Sequence, residues 1–396
     1  MNVGITNTLY PERRNILINP ENNYINLKTR NLFYYVNPLR QRLLHKNKCF
    51  AFLPLPLITS GTPEIFHLFN EVAITRRKWV ATFETELPRV LPVAGVAKQD
   101  NPELHQLTSH VLKDNCLGLI AISDSALHMQ KKLFSKTPAI AERIAAKTLV
   151  MHPPQTLFRQ QKPAKKDDIL RLVFVGNEFY RKGGAEVVLA ISQLLLEGAL
   201  SEDRLEVHLI GDMSKHHNVA HRQFQDAASF YRNIELAITR HRCFRHQQSM
   251  ANDALLALFA RSDVGLLPTW QETYGFSVLE MQASGCPVIT SNVRALPEIN
   301  PASAGWLLEQ PLDDDREFAV NSPEQRERVR HGLIEQLKST LLAIVAHPGQ
   351  LQEKGEGAIR RIREHHDPLS YRLRLNEIYQ RGVTGVKATV SQAVAP

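Results

Sequence analysis

The chain has 396 residues, 43% of them hydrophobic and 22% charged, with a formal net charge of +8 and four cysteines. That suits a globular protein of two or three domains and excludes a disulfide scaffold, since the cysteines are scattered without pairing motifs and fit a reducing cytosol. It also argues against a membrane-spanning helix: the most apolar run, 49–58, is short and carries two prolines, and the N-terminus has no secretory apolar region.

In chain order, the first 45 residues are polar, Asn-rich and hard to assign. Strand-like runs follow at 49–58, 65–70, 79–83 and 117–123, with a helical pattern over 124–134. A break at His152-Pro-Pro-Gln155 precedes a polar, charged, proline-containing segment at 160–168, which reads as a linker. A buried-strand pattern then opens at 170–176, followed by a helix (183–196), a strand (205–211), two helices (223–233 and 252–261), and a strand–helix–strand unit at 263–268, 275–284 and 287–291. Beyond Trp306 the periodicity is helical over 325–345, 351–365 and 370–381. Strands alternating with helices predict mostly parallel sheets with right-handed crossovers. The expected domains are 1–155, a linker at 156–168, a second α/β domain at 169–365, a terminal helix at 366–381, and a tail at 382–396 without fixed structure.

Two loops carry the chemistry. In the strand–helix–strand unit, Glu272 lies on the loop that leaves the carboxyl end of a strand, and Glu280 lies eight residues later on the helix started by Gly275. Open α/β sheets bind ligands at that end of their strands, and a helix N-terminus there favours a negatively charged group. Either glutamate alone reads as a structural or solvated acid; together they can straddle an extended ligand. The second loop, Gly176-Asn-Glu-Phe-Tyr-Arg-Lys-Gly-Gly184, joins the 170–176 strand to its helix. Arg181 can fork two oxygens of a phosphate, Lys182 adds a point charge, and the glycines permit close backbone approach. The loop matches neither the P-loop nor the Gly-x-Gly-x-x-Gly pattern, and by itself reads as a solvated turn. Both loops leave the carboxyl ends of strands in one predicted sheet, so they can face one ligand.

The pair of motifs, 176–184 and Glu272-Thr-Tyr-Gly-Phe-Ser-Val-Leu-Glu-Met-Gln-Ala-Ser-Gly-Cys-Pro-Val-Ile-Thr290, resembles the donor domain of retaining glycosyltransferases of family 4, with a Glu-x7-Glu motif. The resemblance is carried by about 170–306 and extends to 381. It implies a GT-B fold: two Rossmann-like parallel-sheet α/β domains facing a central cleft, the first on the acceptor side, the second holding a nucleotide-sugar donor, and a terminal helix crossing back to the first. It implies that Arg181 and Lys182 hold the diphosphate and that Glu272 engages the donor sugar. Glu280 would bind the ribose, and backbone N–H groups of Tyr274, Gly275 and Phe276 would support the phosphate, with Gly176 and Gly183 lining the site. Transfer with retention would need neither a protein nucleophile, nor a metal, nor another cofactor. The acceptor would be a glycan or lipid-linked glycan in polysaccharide biosynthesis, and the protein cytoplasmic, with a possible peripheral place on the inner membrane face.

The first domain departs from the family pattern. Pro54-Leu-Pro-Leu-Ile-Thr-Ser-Gly61 is the nearest sequence to a glycine-rich acceptor loop, Glu84 stands where a histidine is usual, and His67 reads either as a strand-end acceptor-side histidine or as a buried one. Other GT-B activities, a phosphorylase or a nucleotide-sugar epimerase, stay open, as does a noncatalytic nucleotide-sugar-binding subunit. The charge is uneven: residues 1–166 hold 23 basic against 11 acidic side chains, a net of +12, and residues 167–396 hold 25 against 29, a net of −4. An anionic membrane surface, a phosphate-bearing substrate or a plain solvated surface all fit that excess. Nucleic acid is not expected, because Arg76-Arg-Lys-Trp79 is the only tight basic and aromatic cluster. Asp313-Asp-Asp315 has the spacing of a metal motif but sits in a charged loop, and His241-Arg-Cys-Phe-Arg-His246 interleaves cations that repel a metal, so both read as structural or surface features.

Overall fold

The computed structural model describes residues 1–55, 62–165 and 167–384. Its described backbone gathers into two units, one of residues 1–154 with 367–384, the other of residues 155–366.

The first unit is built on a parallel sheet of β1 (Asn2–Ile5), β2 (Asn23–Asn26), β4 (Ile65–Phe69), β6 (Trp79–Phe83), β7 (Cys116–Ala121) and β8 (Thr148–Val150), in the order β2-β1-β4-β6-β7-β8. The short strands β3 (Ala51–Phe52) and β5 (Val72–Ala73) pair beside it. Side chains alternate across the sheet. Phe66, Leu68, Trp79 and Phe83 enter one core with Leu104 and Leu107 of the helix Pro102–Val111. Ile65, Phe69, Val80 and Ile120 enter another with Tyr371, Leu375, Ile378 and Tyr379 of the C-terminal helix Pro368–Thr384. That helix therefore belongs to the first unit's core although it follows the second unit in sequence.

The first 45 residues, hard to assign in sequence, hold β1, β2 and the helices Tyr10–Asn15 and Leu32–Leu43. The strand expected at 49–58 is reduced to Ala51–Phe52, because Leu53 donates its N–H to Asn31 Oδ1 and Pro54 has no N–H to give a ladder. Its last residues, with most of the 54–61 loop, the Lys166 position of the linker and the tail from 385, lie outside the described residues.

The second unit has a parallel sheet of β9 (Leu170–Glu178), β10 (Leu205–Asp212), β11 (Phe244–Gln247), β12 (Val264–Leu267), β13 (Val288–Ser291) and β14 (Gly305–Leu308). The order β11-β10-β9-β12-β13-β14 means that the chain winds outward from β9 in one direction and from β12 in the other. Between those two strands the order reverses, and loops leaving their carboxyl ends diverge and open a crevice. The strands are fully buried over Leu172, Val173 and Phe174, Val264 and Leu266, and Val288 and Ile289. This is why they read as continuous apolar runs. The segment before β9 lies along the same unit: Phe158 N–H donates to Ala283 O, and Lys162 Nζ to Gly285 O at 2.8 Å.

Candidate functional site

The site forms where β9 and β12 end. Phe179 and Tyr180, both buried, anchor the turn after β9, so Arg181 and Lys182 stand half-buried over the strand end. Gly176 is required beneath them, since a Cβ there would come within 2.4 Å of Lys182 Cβ. Gly183 has φ +87° and a virtual Cβ 2.2 Å from the Pro268 carbonyl oxygen, so the turn touches the end of β12 as only glycine allows. The helix Gly184–Leu196 starts immediately afterward.

From β12 the chain runs through Pro268, buried Thr269 and Trp270, then Gln271 and Glu272, and turns at Gly275 (φ +103°) into the helix Phe276–Ala283. Hydrogen bonds lock the two loops together. Trp270 N–H donates to Arg181 O at 2.9 Å, and Arg181 Nη1 donates to Gln271 O at 2.8 Å. Arg181 Nη2 pairs with Glu178, whose carboxyl is held below its usual range chiefly by that bond. Lys182 Nζ donates to Glu272 Oε2 at 2.5 Å, both side chains being 15% exposed. Glu272 Oε1 accepts the Thr273 N–H at 3.0 Å, which fixes the carboxylate plane. From the other side Gln271 Nε2 donates to Glu317, which Arg294 clamps at 2.6 and 3.0 Å. Tyr274 is buried with its ring 5.2 Å from that of Phe276, which is half-buried at the first helical position. Glu280 is half-buried on the same helix, about 6 Å along the axis from Phe276 at 1.5 Å per residue.

The sequence-predicted residues Gly176, Arg181, Lys182, Gly183, Glu272, Tyr274, Gly275, Phe276 and Glu280 thus lie together at the β9 and β12 ends of one unit. The result is a ledge with two cations, a helix N-terminus and two carboxylates, able to hold an anion with a hydroxyl-bearing group on either side.

The two acceptor-side candidates lie in the first unit. His67 is fully buried, with Nδ1 2.6 Å from Tyr379 Oη and Nε2 2.8 Å from Thr82 Oγ1. Burial pushes its pKa down to about 3, so the ring is neutral. With both nitrogens engaged inside the core, His67 is a structural histidine, and its acceptor-side reading is corrected for that reason. Glu84 follows β6 and accepts from Asn70 Nδ2 and Arg89 Nη1, each at 3.0 Å. Asp313 Oδ1 accepts the N–H groups of Asp315 and Glu317, so it shapes a turn. His241 binds Glu202 and His246 binds the Gly211 carbonyl, so the two histidines serve different partners.

A buried network behind the ledge escaped the sequence reading. Arg330, on the helix Pro323–Ala346, donates to Glu186 at 3.2 Å and to both oxygens of Asp226 at 3.0 and 2.7 Å. Its guanidinium lies 4.3 Å from the Phe230 ring centre and 5.7 Å from that of Trp270. His221 meets the same Trp270 edge to face at 4.3 Å. Glu186 stands one turn behind the Arg181-Lys182 loop and Trp270 two residues before Glu272, so the network braces both loops. The available signals were an acid in the otherwise apolar helix Gly184–Leu196 and an arginine beside the buried Val329, Leu333, Leu337 stripe.

Residues 170–321 match the family described as glycosyl transferases group 1. An uncharacterized glycosyltransferase of Methanocaldococcus jannaschii is 26% identical over 175 residues, 40% of this chain and 40% of that protein. A D-inositol 3-phosphate glycosyltransferase of Geodermatophilus obscurus is 28% identical over 144 residues, 36% of this chain and 30% of that protein. The matches therefore span less than half the length of these curated relatives. Among solved structures, Anabaena HepE in complex with UDP and glucose aligns with a TM-score of 0.55 at 12% identity, covering 96% of this chain and 91% of its own. Sucrose-phosphate synthase from Thermosynechococcus elongatus aligns at 0.53 and 16% identity, covering 83% and 75%. The fold is GT-B, and the match to glycosyl transferases group 1 is confined to residues 170–321 of the second unit.

Proposed function

We propose that the protein is a retaining glycosyltransferase that moves a sugar from a nucleotide-diphosphate sugar to a glycan or lipid-linked glycan acceptor without a metal. The observation that carries this reading is the locked pair of loops at the β9 and β12 ends, with Arg181, Lys182 and a helix N-terminus facing one spot and Glu280 beyond it. A diphosphate fits the cations and the helix start, and Glu280 is spaced to take ribose hydroxyls. Glu272, released from Lys182 as that cation turns to phosphate, takes hydroxyls of the sugar. The complex of the fold neighbour HepE with UDP and glucose supports a donor of this class.

In the transfer step the bond between the anomeric carbon and the diphosphate oxygen breaks, its electron pair leaving with the diphosphate. The acceptor oxygen bonds to the same face of that carbon, and its proton passes to a leaving phosphate oxygen. Arg181, Lys182 and the helix N-terminus stabilise the charge that grows on the diphosphate, which is the work a metal does elsewhere, and preformed donors do it without reorganisation.

The test incubates the full chain with a panel of nucleotide sugars, with and without glycan and lipid-linked acceptor extracts, in the presence of a chelator. Nucleoside diphosphate release that needs acceptor, with the anomeric configuration kept in the product, is the expected result. Turnover abolished by the chelator, an inverted product, or an epimerised donor with no diphosphate released would each overturn it.

A further inference from the structure

We propose that the outward face of the helix Leu32–Leu43 docks on an anionic lipid bilayer. The helix carries apolar side chains on its outward side as well as its inward one. Inward, Phe33 packs on the core, Asn31 caps the helix and donates to Ala51 O at 3.0 Å, and Asn37 exchanges two hydrogen bonds with the Cys49 backbone at 3.1 and 2.9 Å. Its outward side is aromatic and aliphatic. Tyr35, Leu39 and Leu43, spaced one turn apart, are 50%, 56% and 72% exposed, and Tyr34 and Leu44 widen the stripe.

The charge of the segment itself has one sign. Residues 22–63 contain no Asp or Glu but carry Lys28, Arg30, Arg40, Arg42, Lys46 and Lys48. Arg40 is tied to Glu103 and belongs to the fold, whereas Lys28, Arg42, Lys46 and Lys48 are exposed on the helix and its flanks, Lys28 Nζ lying 5.7 Å from the Tyr34 ring centre. Tyrosines and leucines bordered by lysine and arginine match the headgroup boundary of a bilayer, where the apolar part enters the acyl region and the cations meet anionic lipid. A second copy of the same surface would bring like charges together, so self-association is disfavoured. Among the described residues no helix is long and apolar enough to cross a membrane, so this contact is with one face of the bilayer.

Such docking gives the proposed lipid-linked acceptor its location, and only in that purpose does it rest on the transferase reading. The vesicle test needs neither donor nor acceptor, so either can fail while the other stands. The full chain is sedimented with phosphatidylcholine vesicles with and without phosphatidylglycerol, at low and high salt. Binding is expected to be roughly tenfold or more stronger on the anionic vesicles and to weaken with salt. Leu39→Asp/Leu43→Asp should lower it by roughly tenfold or more at an unchanged melting temperature, since both side chains already face water. Leu236→Asp, 61% exposed on the second unit, should leave it unchanged. The proposal is overturned if the wild type shows no anionic preference, or if Leu39→Asp/Leu43→Asp binds as the wild type does. It is also overturned if light scattering shows a dimer that this variant dissociates while no vesicle binding occurs.

Discussion

Replacing Arg330 by methionine tests how the ledge at the β9 and β12 ends is braced. The guanidinium serves three carboxylates, of which Glu327 is 55% exposed and loses little, while Glu186 and Asp226 are 1% and 5% exposed. Asp226 keeps Arg326 at 3.4 Å, so Glu186 is the charge left without a partner. Breaking one side of a buried pair typically costs about 3–5 kcal/mol, and the surviving Arg326 contact argues for the lower end. For a unit of this size each kcal/mol shifts the melting temperature by about 2–4 °C, so a fall of roughly 6–12 °C is expected. The pH dependence distinguishes this cause from lost packing. Burial already holds the Glu186 pKa above its ordinary value, and removing Arg330 takes away the main opposing effect. An acid whose folded pKa lies above its unfolded value destabilises the fold above that pKa, and the penalty fades as pH falls toward the unfolded value. Calorimetric melts of wild type and variant should therefore converge from pH 7.5 to pH 5. A fall below about 2 °C at neutral pH, or a deficit that widens on acidification, would refute the reasoning.

Three further outcomes follow from the geometry. His67 cannot take a proton in the fold until about pH 3, whereas the unfolded chain does so below about pH 6.5, so it contributes stability loss as pH falls through that window, at up to about 1.4 kcal/mol per unit. His67→Gln should be less stable at pH 7 and lose less on acidification, as denaturant titrations at several pH values will show; parallel curves would contradict it. Gly183→Ala meets a backbone oxygen at 2.2 Å in addition to its left-handed φ and should cost well above the roughly 1–2 kcal/mol of φ strain alone, whereas Gly198→Ala (φ +70°, open space) should cost only that strain. Equal effects in the same titrations would contradict the close loop contact. In donor kinetics Glu280→Ala should mainly raise the donor KM and Glu272→Ala mainly lower kcat, and wild-type values for both would remove them from the site.

The second unit was legible because its strands are buried on both faces and its loops carry charge where few side chains are charged. Residues 172–175 of β9 and Val264–Leu267 appear as apolar runs, and Arg181, Lys182 and Glu272 interrupt the chain just beyond them. Edge strands were not legible: β2, Asn-Tyr-Ile-Asn, and β11, Phe-Arg-His-Gln, have an unpaired side in water and carry no apolar run. The helix Leu32–Leu43 was missed because apolar side chains lie on both its sides, Phe33 inward and Tyr35, Leu39 and Leu43 outward, while its buried position is Asn37, which blurs the stripe that marks a surface helix. His67 could be read two ways because a strand-end histidine looks the same in sequence whether it faces solvent or Tyr379, 312 residues away. The Arg330 network was hidden for a related reason, its carboxylates lying 144 and 104 residues distant.

The central claim is that Arg181 and Lys182 hold a nucleoside diphosphate, and calorimetric binding of uridine, guanosine and adenosine diphosphates to the full chain tests it most directly. At least one should bind without added metal. Each charge-assisted bond is worth about 1.5–3 kcal/mol, so Arg181→Ala should weaken that affinity roughly tenfold to a hundredfold. Lys182→Ala should weaken it more, because it also leaves the Glu272 carboxylate facing the phosphate. If none of the three binds, or if both variants bind like the wild type, the ledge at the β9 and β12 ends is not a donor site.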